Sequence, residues 1–127
     1  MTNAFEDLRV EDAPTATILT LTFKERLTTE DYAAFVPLIE DRIERGSPVR
    51  LLVELKDFKG WTAGAMWEDT KFAARHFEKV ERLAVVGESH WEEGAVAFVK
   101  PFSAAEMRYF DTGAADRARR WIRSPST

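Results

Sequence analysis

The chain has 127 residues, of which 45% are hydrophobic and 31% charged, a balance typical of one folded globular domain. It contains no cysteine, which excludes a disulfide scaffold, a thiolate zinc site and a cysteine nucleophile. The net charge of −4 disfavours nucleic-acid binding, so we expect no nucleic-acid partner.

Neither a signal peptide nor a membrane span is recognisable in the sequence. The first residues lack a basic segment followed by an apolar one. No apolar run approaches the roughly 20 residues needed to cross a bilayer. We therefore expect a cytoplasmic protein without a membrane span.

The chain begins with a predicted β-hairpin. Thr15–Thr22 alternates threonine with apolar residues, which predicts a strand with one buried face, and Leu8–Val10 is its predicted short partner. An amphipathic helix follows, with a kink expected at Pro37 and an end at Gly46. Its apolar residues recur at helical spacing: Tyr32, Phe35, Val36, Ile39 and Ile43.

The centre of the chain predicts a strand, a loop and a second helix. The near-continuous apolar run Val49–Leu55 indicates a strand covered on both faces, with Glu54 as its exception. The loop Lys56–Ala63 leads into a helix predicted over Ala63–Val80. Three residues lie off the inner face of this helix and are predicted to form a partner surface, unless a second helix layer covers them: Ala65, Phe72 and His76.

The remaining segments predict two more strands and two more helices. The strands are Arg82–Gly87 and Glu106–Phe110, and a short helix lies between them within His90–Val99. The last helix buries Ala114, Ala118, Trp121 and Ile122. The order β-β-α-β-α-β-α-β-α predicts a single-domain α/β sandwich, with a mixed, largely parallel sheet of about four or five strands, an N-terminal hairpin and about four helices.

No motif for catalysis or metal binding is present in the sequence. The two histidines, His76 and His90, lack the spacing of a zinc-binding motif. No serine lies in a G-x-S-x-G motif, and the glycines do not form a phosphate-binding loop. We therefore expect no catalytic residue, no metal and no cofactor, and a protein that is not an enzyme.

The segment after the central strand is the predicted functional site. Gly60 permits a sharp turn. Trp61 and Trp67 flank a helix N-terminus, whose free N–H groups favour an anion or a phosphate. A core position for Trp61 is an equally good interpretation. The predicted ligand or switch loop comprises Asp57, Gly60, Trp61, Thr62 and Trp67.

The last helix is rich in arginine, with Arg117, Arg119, Arg120 and Arg123. Such a basic face can bind phosphate, nucleic acid or lipid headgroups. Because the whole chain is negative, the preferred interpretation is solvated cations that interact favourably with the C-terminal end of the helix dipole.

Four stretches in order carry a family resemblance: LTTEDYAAFVPLIEDRI, RLLVELKDFKGWTAGAMWEDTKF, ERLAVVGESHWEE and KPFSAAEMRYFDTGAADRARRWI. They resemble the SpoIIAA-like branch of the STAS/SEC14-type proteins, over nearly the whole chain. The resemblance implies a STAS-like (SpoIIAA-like) fold. In the related anti-sigma-factor antagonists, a phosphorylated serine begins the helix after the central strand. The resemblance places Thr62 at that serine and Gly64 at the glycine of the motif, while Trp61 replaces the acid.

Two functions follow as hypotheses. The first is a non-catalytic regulatory or interaction domain that works through the loop and helix after the central strand and binds a protein partner or itself, as a homodimer through the Phe72/His76 face. The alternative is a carrier or sensor of a small apolar or anionic, lipid-like ligand in a SEC14-type pocket. That pocket would lie between Trp61, Trp67 and the segment Trp91–Phe102, whose aromatic side chains would line it.

Overall fold

The computed structural model describes residues 5–13, 16–27, 29–46, 48–61, 79–88, 90 and 105–125. This part of the chain contains five strands, two α-helices and a short 3-10 turn at Thr112–Ala114. In chain order the helices and strands are β1 (Phe5–Asp12), β2 (Thr17–Leu27), α1 (Thr29–Glu44), β3 (Val49–Trp61), β4 (Val80–Gly87), β5 (Glu106–Asp111) and α2 (Ala115–Arg123).

The five strands form one mixed sheet in the order β1-β2-β3-β4-β5. β1 pairs antiparallel with β2, whereas β2, β3, β4 and β5 run parallel to one another. The predicted N-terminal hairpin and largely parallel sheet are therefore confirmed. The last pair between β3 and β4 is Glu54 with Val86, and β4 ends one residue later, at Gly87, while β3 continues beside β2 to Trp61.

One face of the sheet is covered by α1. Phe35, Ile39 and Ile43, which were predicted to face inward, are buried, and the rings of Phe23 and Phe35 lie 5.2 Å apart. Gly46 ends the helical segment as predicted: its φ of 88° is left-handed, and its N–H donates to the carbonyl of Ile43 at 3.1 Å. The strands contribute Leu19, Leu21, Leu51, Val53, Leu83 and Val85 to this core.

The opposite face is covered by α2. Ala118 and Ile122 are fully buried, as their helical spacing predicts. They pack on a second, smaller cluster of strand residues: Ile18, Leu52, Ala84 and Val86. β3 is thus buried on both sides, which explains its near-continuous apolar sequence.

Several predicted boundaries are wrong, and β2, for example, ends at Leu27 and not at Thr22. β3 does not end at Leu55, because the chain beyond that residue continues to pair with β2: Phe58 lies opposite Glu25, and Trp61 opposite Leu27. Val80 does not end a helix but begins β4. A single apolar residue next to a buried strand fits either element, so periodicity alone does not place such a boundary.

The sequence predicted about four helices, and two of them lie in the part of the chain that the structure describes. The described residues contain two α-helices, α1 and α2. The segments predicted to form the other two, Ala63–Val80 and His90–Val99, lie almost entirely outside the described residues. Neither described helix is both long and apolar enough to cross a membrane.

Candidate functional site

A cleft of about 290 Å³ opens at the carboxyl ends of the parallel strands. We call it the carboxyl-edge cleft. In parallel α/β sheets this edge is the usual position of a binding site, since the loops that follow the strands converge there. Its lining comes from the end of β3, the residue after β4 and the turn after β5: Leu55, Lys56, Asp57, Phe58, Glu88 and Thr112.

The β3 side of the cleft is shaped by an irregularity in the sheet. Phe23 pairs with Leu55, but Glu25 pairs with Phe58, so β3 contains one more residue than β2 over this span. The extra length is accommodated by a left-handed backbone at Asp57, with φ of 49°. On β2, Glu25 is also left-handed, with φ of 60°. Asparagine and aspartate tolerate this conformation better than most residues. The bulge leaves Asp57 exposed and Phe58 buried.

The β4 side of the cleft is held by a close contact at Gly87. The hydroxyl of Tyr109 on β5 donates to the carbonyl of Glu88 at 2.6 Å. A Cβ at Gly87 would lie 2.8 Å from the Tyr109 oxygen and 3.1 Å from Cδ1 of Leu55. A side chain at this position would therefore force Tyr109 or Leu55 to shift, and the tyrosine bond fixes the backbone where Glu88 enters the cleft.

The carboxyl-edge cleft combines apolar surface with charged groups. Leu55 and Phe58 supply apolar surface, while Lys56, Asp57 and Glu88 supply one positive and two negative charges. These groups can anchor a peptide or a small polar molecule through hydrogen bonds and ion pairs. Across the described ranges, no three acidic, histidine or cysteine side chains are grouped as metal ligands would be.

The predicted loop residues have three different outcomes. Asp57 lies in the cleft, but in a strand bulge instead of a loop. Gly60 and Trp61 also belong to β3, paired with Arg26 and Leu27, so the prediction that they form a loop is wrong. The other predicted site residues lie outside the described residues: Thr62, Ala65, Trp67, Phe72 and His76.

A buried cluster of arginines on the α2 face was not predicted from the sequence. Arg50 is 1% exposed and Arg82 is 8% exposed. Both side chains donate to backbone carbonyls just at and beyond the end of α2, from Trp121 to Pro125. The available signal was a charged residue inside each apolar strand, VRLLVEL and VERLAVV, where a lone cation requires a partner.

The arginines of α2 are exposed, in agreement with the prediction that they are solvated cations. Two of them also form ion pairs that were not predicted. Arg119 binds the buried carboxylate of Glu54 at 3.0 Å and Asp116 at 2.9 Å. Arg123 binds both carboxylate oxygens of Glu11, at 2.6 and 2.7 Å. These contacts fix α2 to β1 and β3.

Comparison with known proteins supports the fold. A family model described as SpoIIAA-like matches residues 18–123. Among solved structures, the chain is similar to an uncharacterized protein from the DUF3478 family with a SpoIIAA-like fold, from Shewanella loihica PV-4. The identity is 22% and the TM-score 0.72, over 96% of this chain and 98% of that chain, which confirms the predicted SpoIIAA-like fold. No curated protein matches the chain.

Proposed function

Because the chain belongs to the SpoIIAA-like family, we propose that it is a non-catalytic regulatory or interaction domain of the STAS type that binds a protein partner at the carboxyl-edge cleft. In this proposal the partner surface also includes the segment after β3, which was predicted to form a loop and a helix and to contribute Thr62, Ala65, Phe72 and His76. The observation that carries the proposal is the left-handed, exposed Asp57 in the bulge of the central strand.

The backbone at Asp57 supports a binding role on physical grounds. A non-glycine residue in the left-handed region costs stability, and such costs persist mainly at functional sites. The bulge presents Lys56 and Asp57, both exposed, beside the buried Phe58. Charges of opposite sign on neighbouring exposed residues favour a polar partner of defined orientation.

A matched pair of double variants tests this proposal. Lys56→Gln with Asp57→Asn removes one positive and one negative charge at the cleft, and asparagine retains a good preference for the left-handed backbone. Arg45→Gln with Asp41→Asn removes the same charges from an exposed ion pair on the far end of α1. The net charge of the chain is unchanged in both.

Affinity capture from the native host lysate, quantified by mass spectrometry, is the measurement. We expect the wild type and the α1 control to retain the same partner, and the cleft variant to retain about tenfold less, equivalent to about 1.4 kcal/mol. If all three folded proteins retain the partner equally, the cleft does not contribute to partner binding.

The partner in this proposal can also be a second copy of the chain, through the Phe72/His76 face. Sedimentation velocity at tens of micromolar is expected to give a dimer for the wild type and a monomer for Phe72→Glu, because a buried carboxylate would lack a partner at the interface. A wild type that sediments as a monomer contradicts self-association while leaving the capture experiment unaffected.

Thr62 is the proposed switch within this function. A phosphate there would add about −1.5 to −2 charges beside the start of the predicted helix, where the helix dipole favours an anion. Mass spectrometry of the protein from its native host is expected to find a phosphate on Thr62, and Thr62→Ala is expected to change partner retention. Unmodified Thr62 together with unchanged retention contradicts the switch.

A carrier of a small apolar or anionic ligand is the second candidate. It is favoured by the composition of the cleft, where Leu55 and Phe58 are apolar and Lys56 is cationic. Native mass spectrometry of freshly purified protein is expected to show a bound mass that disappears in the Lys56→Gln/Asp57→Asn variant. A wild type that carries no ligand contradicts this candidate.

A further inference from the structure

The last strand and helix of the chain are basic, whereas the rest of the chain is acidic. Between residues 106 and 123, five arginines and three acidic residues give a charge of +2. The net charge of the whole chain is −4, so the other residues together carry −6. An uneven distribution of charge within one domain favours binding of a partner of opposite charge to the basic part.

Two arginines on the outer side of α2 have no partner within the described part of the chain. Arg117 and Arg120 are exposed, and neither forms an ion pair or a hydrogen bond with any residue that the structure describes. The one acidic residue of α2, Asp116, binds Arg119 at 2.9 Å instead. Because residues three apart in a helix lie on the same side, the guanidinium groups of Arg117 and Arg120 can reach one partner together.

A third exposed arginine, Arg108 on β5, is ordered by an aromatic ring. Its guanidinium lies 5.0 Å from the centre of the Trp121 ring, and that of Arg82 lies 5.2 Å from the same ring. The distance from Arg108 to Glu106 is 3.9 Å, which is too long for a hydrogen bond. Arg117 lies one helical turn before Trp121, on the same side of α2. We define the α2 arginine surface by four residues: Arg108, Arg117, Arg120 and Trp121.

Screening by salt decides which class of partner fits this surface. At physiological ionic strength the field of an exposed charge falls off within about 8 Å. A flexible acidic segment can therefore contact the arginines without approaching the acidic remainder of the domain. A bilayer or a nucleic acid presents an extended anionic surface, which the charge of −6 repels. The two large hydrophobic residues that are exposed in the described structure, Val10 and Leu38, lie on β1 and α1, so α2 has none to insert into a membrane.

We propose that the α2 arginine surface docks an acidic segment of a partner protein. Each guanidinium can bind a carboxylate through two parallel N–H donors. Cβ atoms three residues apart in a helix, such as those of Arg117 and Arg120, are about 5–6 Å apart. Acidic residues two apart in an extended segment are separated by about 7 Å, so one segment reaches both arginines. Arg108 binds a further carboxylate beside the ring of Trp121, and the carboxyl-edge cleft is not involved.

Fluorescence anisotropy with two labelled peptides tests the proposal. The first is a short peptide that alternates glutamate with serine, and the second replaces every glutamate by glutamine. We expect the acidic peptide to bind with a Kd below about 1 mM, and the glutamine peptide to bind at least about tenfold more weakly. Added salt should weaken binding of the acidic peptide. An acidic peptide that does not bind at up to about 1 mM, or a glutamine peptide that binds equally well, overturns the proposal.

A matched pair of double variants locates the site. Arg117→Gln with Arg120→Gln should weaken binding of the acidic peptide by at least about tenfold. Arg45→Gln with Lys59→Gln removes two exposed cations from α1 and β3, and should weaken it by less than about threefold. Because Arg117 and Arg120 have no partner in the described structure, the first variant should unfold at nearly the same urea concentration as the wild type. Equal losses of binding in the two variants would show that total charge and not this surface binds the peptide, which overturns the proposal.

Three further measurements distinguish the acidic segment from other occupants of the surface. Vesicles that contain phosphatidylglycerol and a single-stranded DNA oligonucleotide are each expected to bind the wild type more weakly than the acidic peptide does. Tighter binding of either one, if the Arg117→Gln/Arg120→Gln variant loses it, overturns the choice of partner. In sedimentation velocity, that variant should have the same oligomeric state as the wild type. A dimer that the variant abolishes would assign the surface to a second copy of the chain and also overturn the proposal.

Discussion

Arg50 and Arg82 lie directly opposite each other on β3 and β4, and both donate to the backbone carbonyl of Ser124, at 2.6 and 3.0 Å. Like charges at this position would repel each other in an ordinary sheet. Here they share one acceptor just beyond the end of α2, because carbonyls at the end of a helix have no partners within the helix. Arg50 also pairs with Glu81 at 3.1 Å, which offsets part of the buried charge. The arginine pair therefore anchors the end of α2.

Replacing Arg50 tests the strength of this anchor. Arg50→Met preserves apolar bulk but leaves the carbonyls of Ile122 and Ser124 without this donor, so we expect a loss of about 3 kcal/mol in the free energy of unfolding. Urea titration followed by circular dichroism measures it. The control Arg45→Met, at an exposed ion pair, should cost less than about 0.5 kcal/mol. Similar losses for both variants would show that the anchor contributes little.

Because of the close contact at Gly87, we expect Gly87→Ala to lower stability and Tyr109→Phe to offset part of that loss. In Gly87→Ala, the new Cβ meets the Tyr109 oxygen at 2.8 Å, and we expect a loss of about 1–3 kcal/mol. Adding Tyr109→Phe removes that oxygen, so the double variant should be less destabilised than the sum of the single ones. Gly113→Ala, where no atom lies within 4 Å, is the control and should change little. Strict additivity would contradict the contact.

Because the backbone at Asp57 is left-handed, we expect glycine to be more stable than alanine at this position, the reverse of the usual order in a strand. Because its φ is 49°, Asp57→Gly should be more stable than Asp57→Ala by about 1 kcal/mol. At the neighbouring exposed position Lys56, alanine should be the more stable of the two by roughly 0.5–1 kcal/mol. Thermal unfolding of the four variants measures both differences. The same order at both positions would contradict the left-handed bulge.

The ion pair between Glu11 and Arg123 predicts a dependence of stability on pH. Hydrogen bonds from Arg123 lower the pKa of the Glu11 carboxyl below its ordinary value. The unfolded chain therefore takes up this proton at a higher pH than the folded one. The stabilisation is complete above the ordinary pKa and is lost as the pH falls through the lowered one.

This loss should be measurable by denaturant titration between about pH 5 and about pH 3. We expect the wild type to lose stability more steeply than Glu11→Gln or Arg123→Gln, by no more than about 1 kcal/mol because both side chains are partly exposed. High salt should reduce the difference. Parallel pH profiles for wild type and variants would exclude a contribution from this pair.

Local patterns in the sequence were sufficient for much of the fold. Alternating and helical periodicities predicted all five strands and both described helices, because each depends on residues only two to four positions apart. The resemblance in four stretches predicted the family. The end of β3 was missed because it depends on pairing with β2 through a bulge, which leaves no periodic signal.

The sequence alone therefore determined the class of fold and the two-sided burial of β3, and it predicted a functional site in the region around Asp57. Only the tertiary structure decided which charges lie inside. Glu54 meets Arg119 at a separation of 65 residues, and Arg50 meets Ile122 and Ser124 at separations of 72 and 74. A charged side chain can be buried only when its partner is brought to it, and for these residues the partner arrives when α2 packs across the sheet.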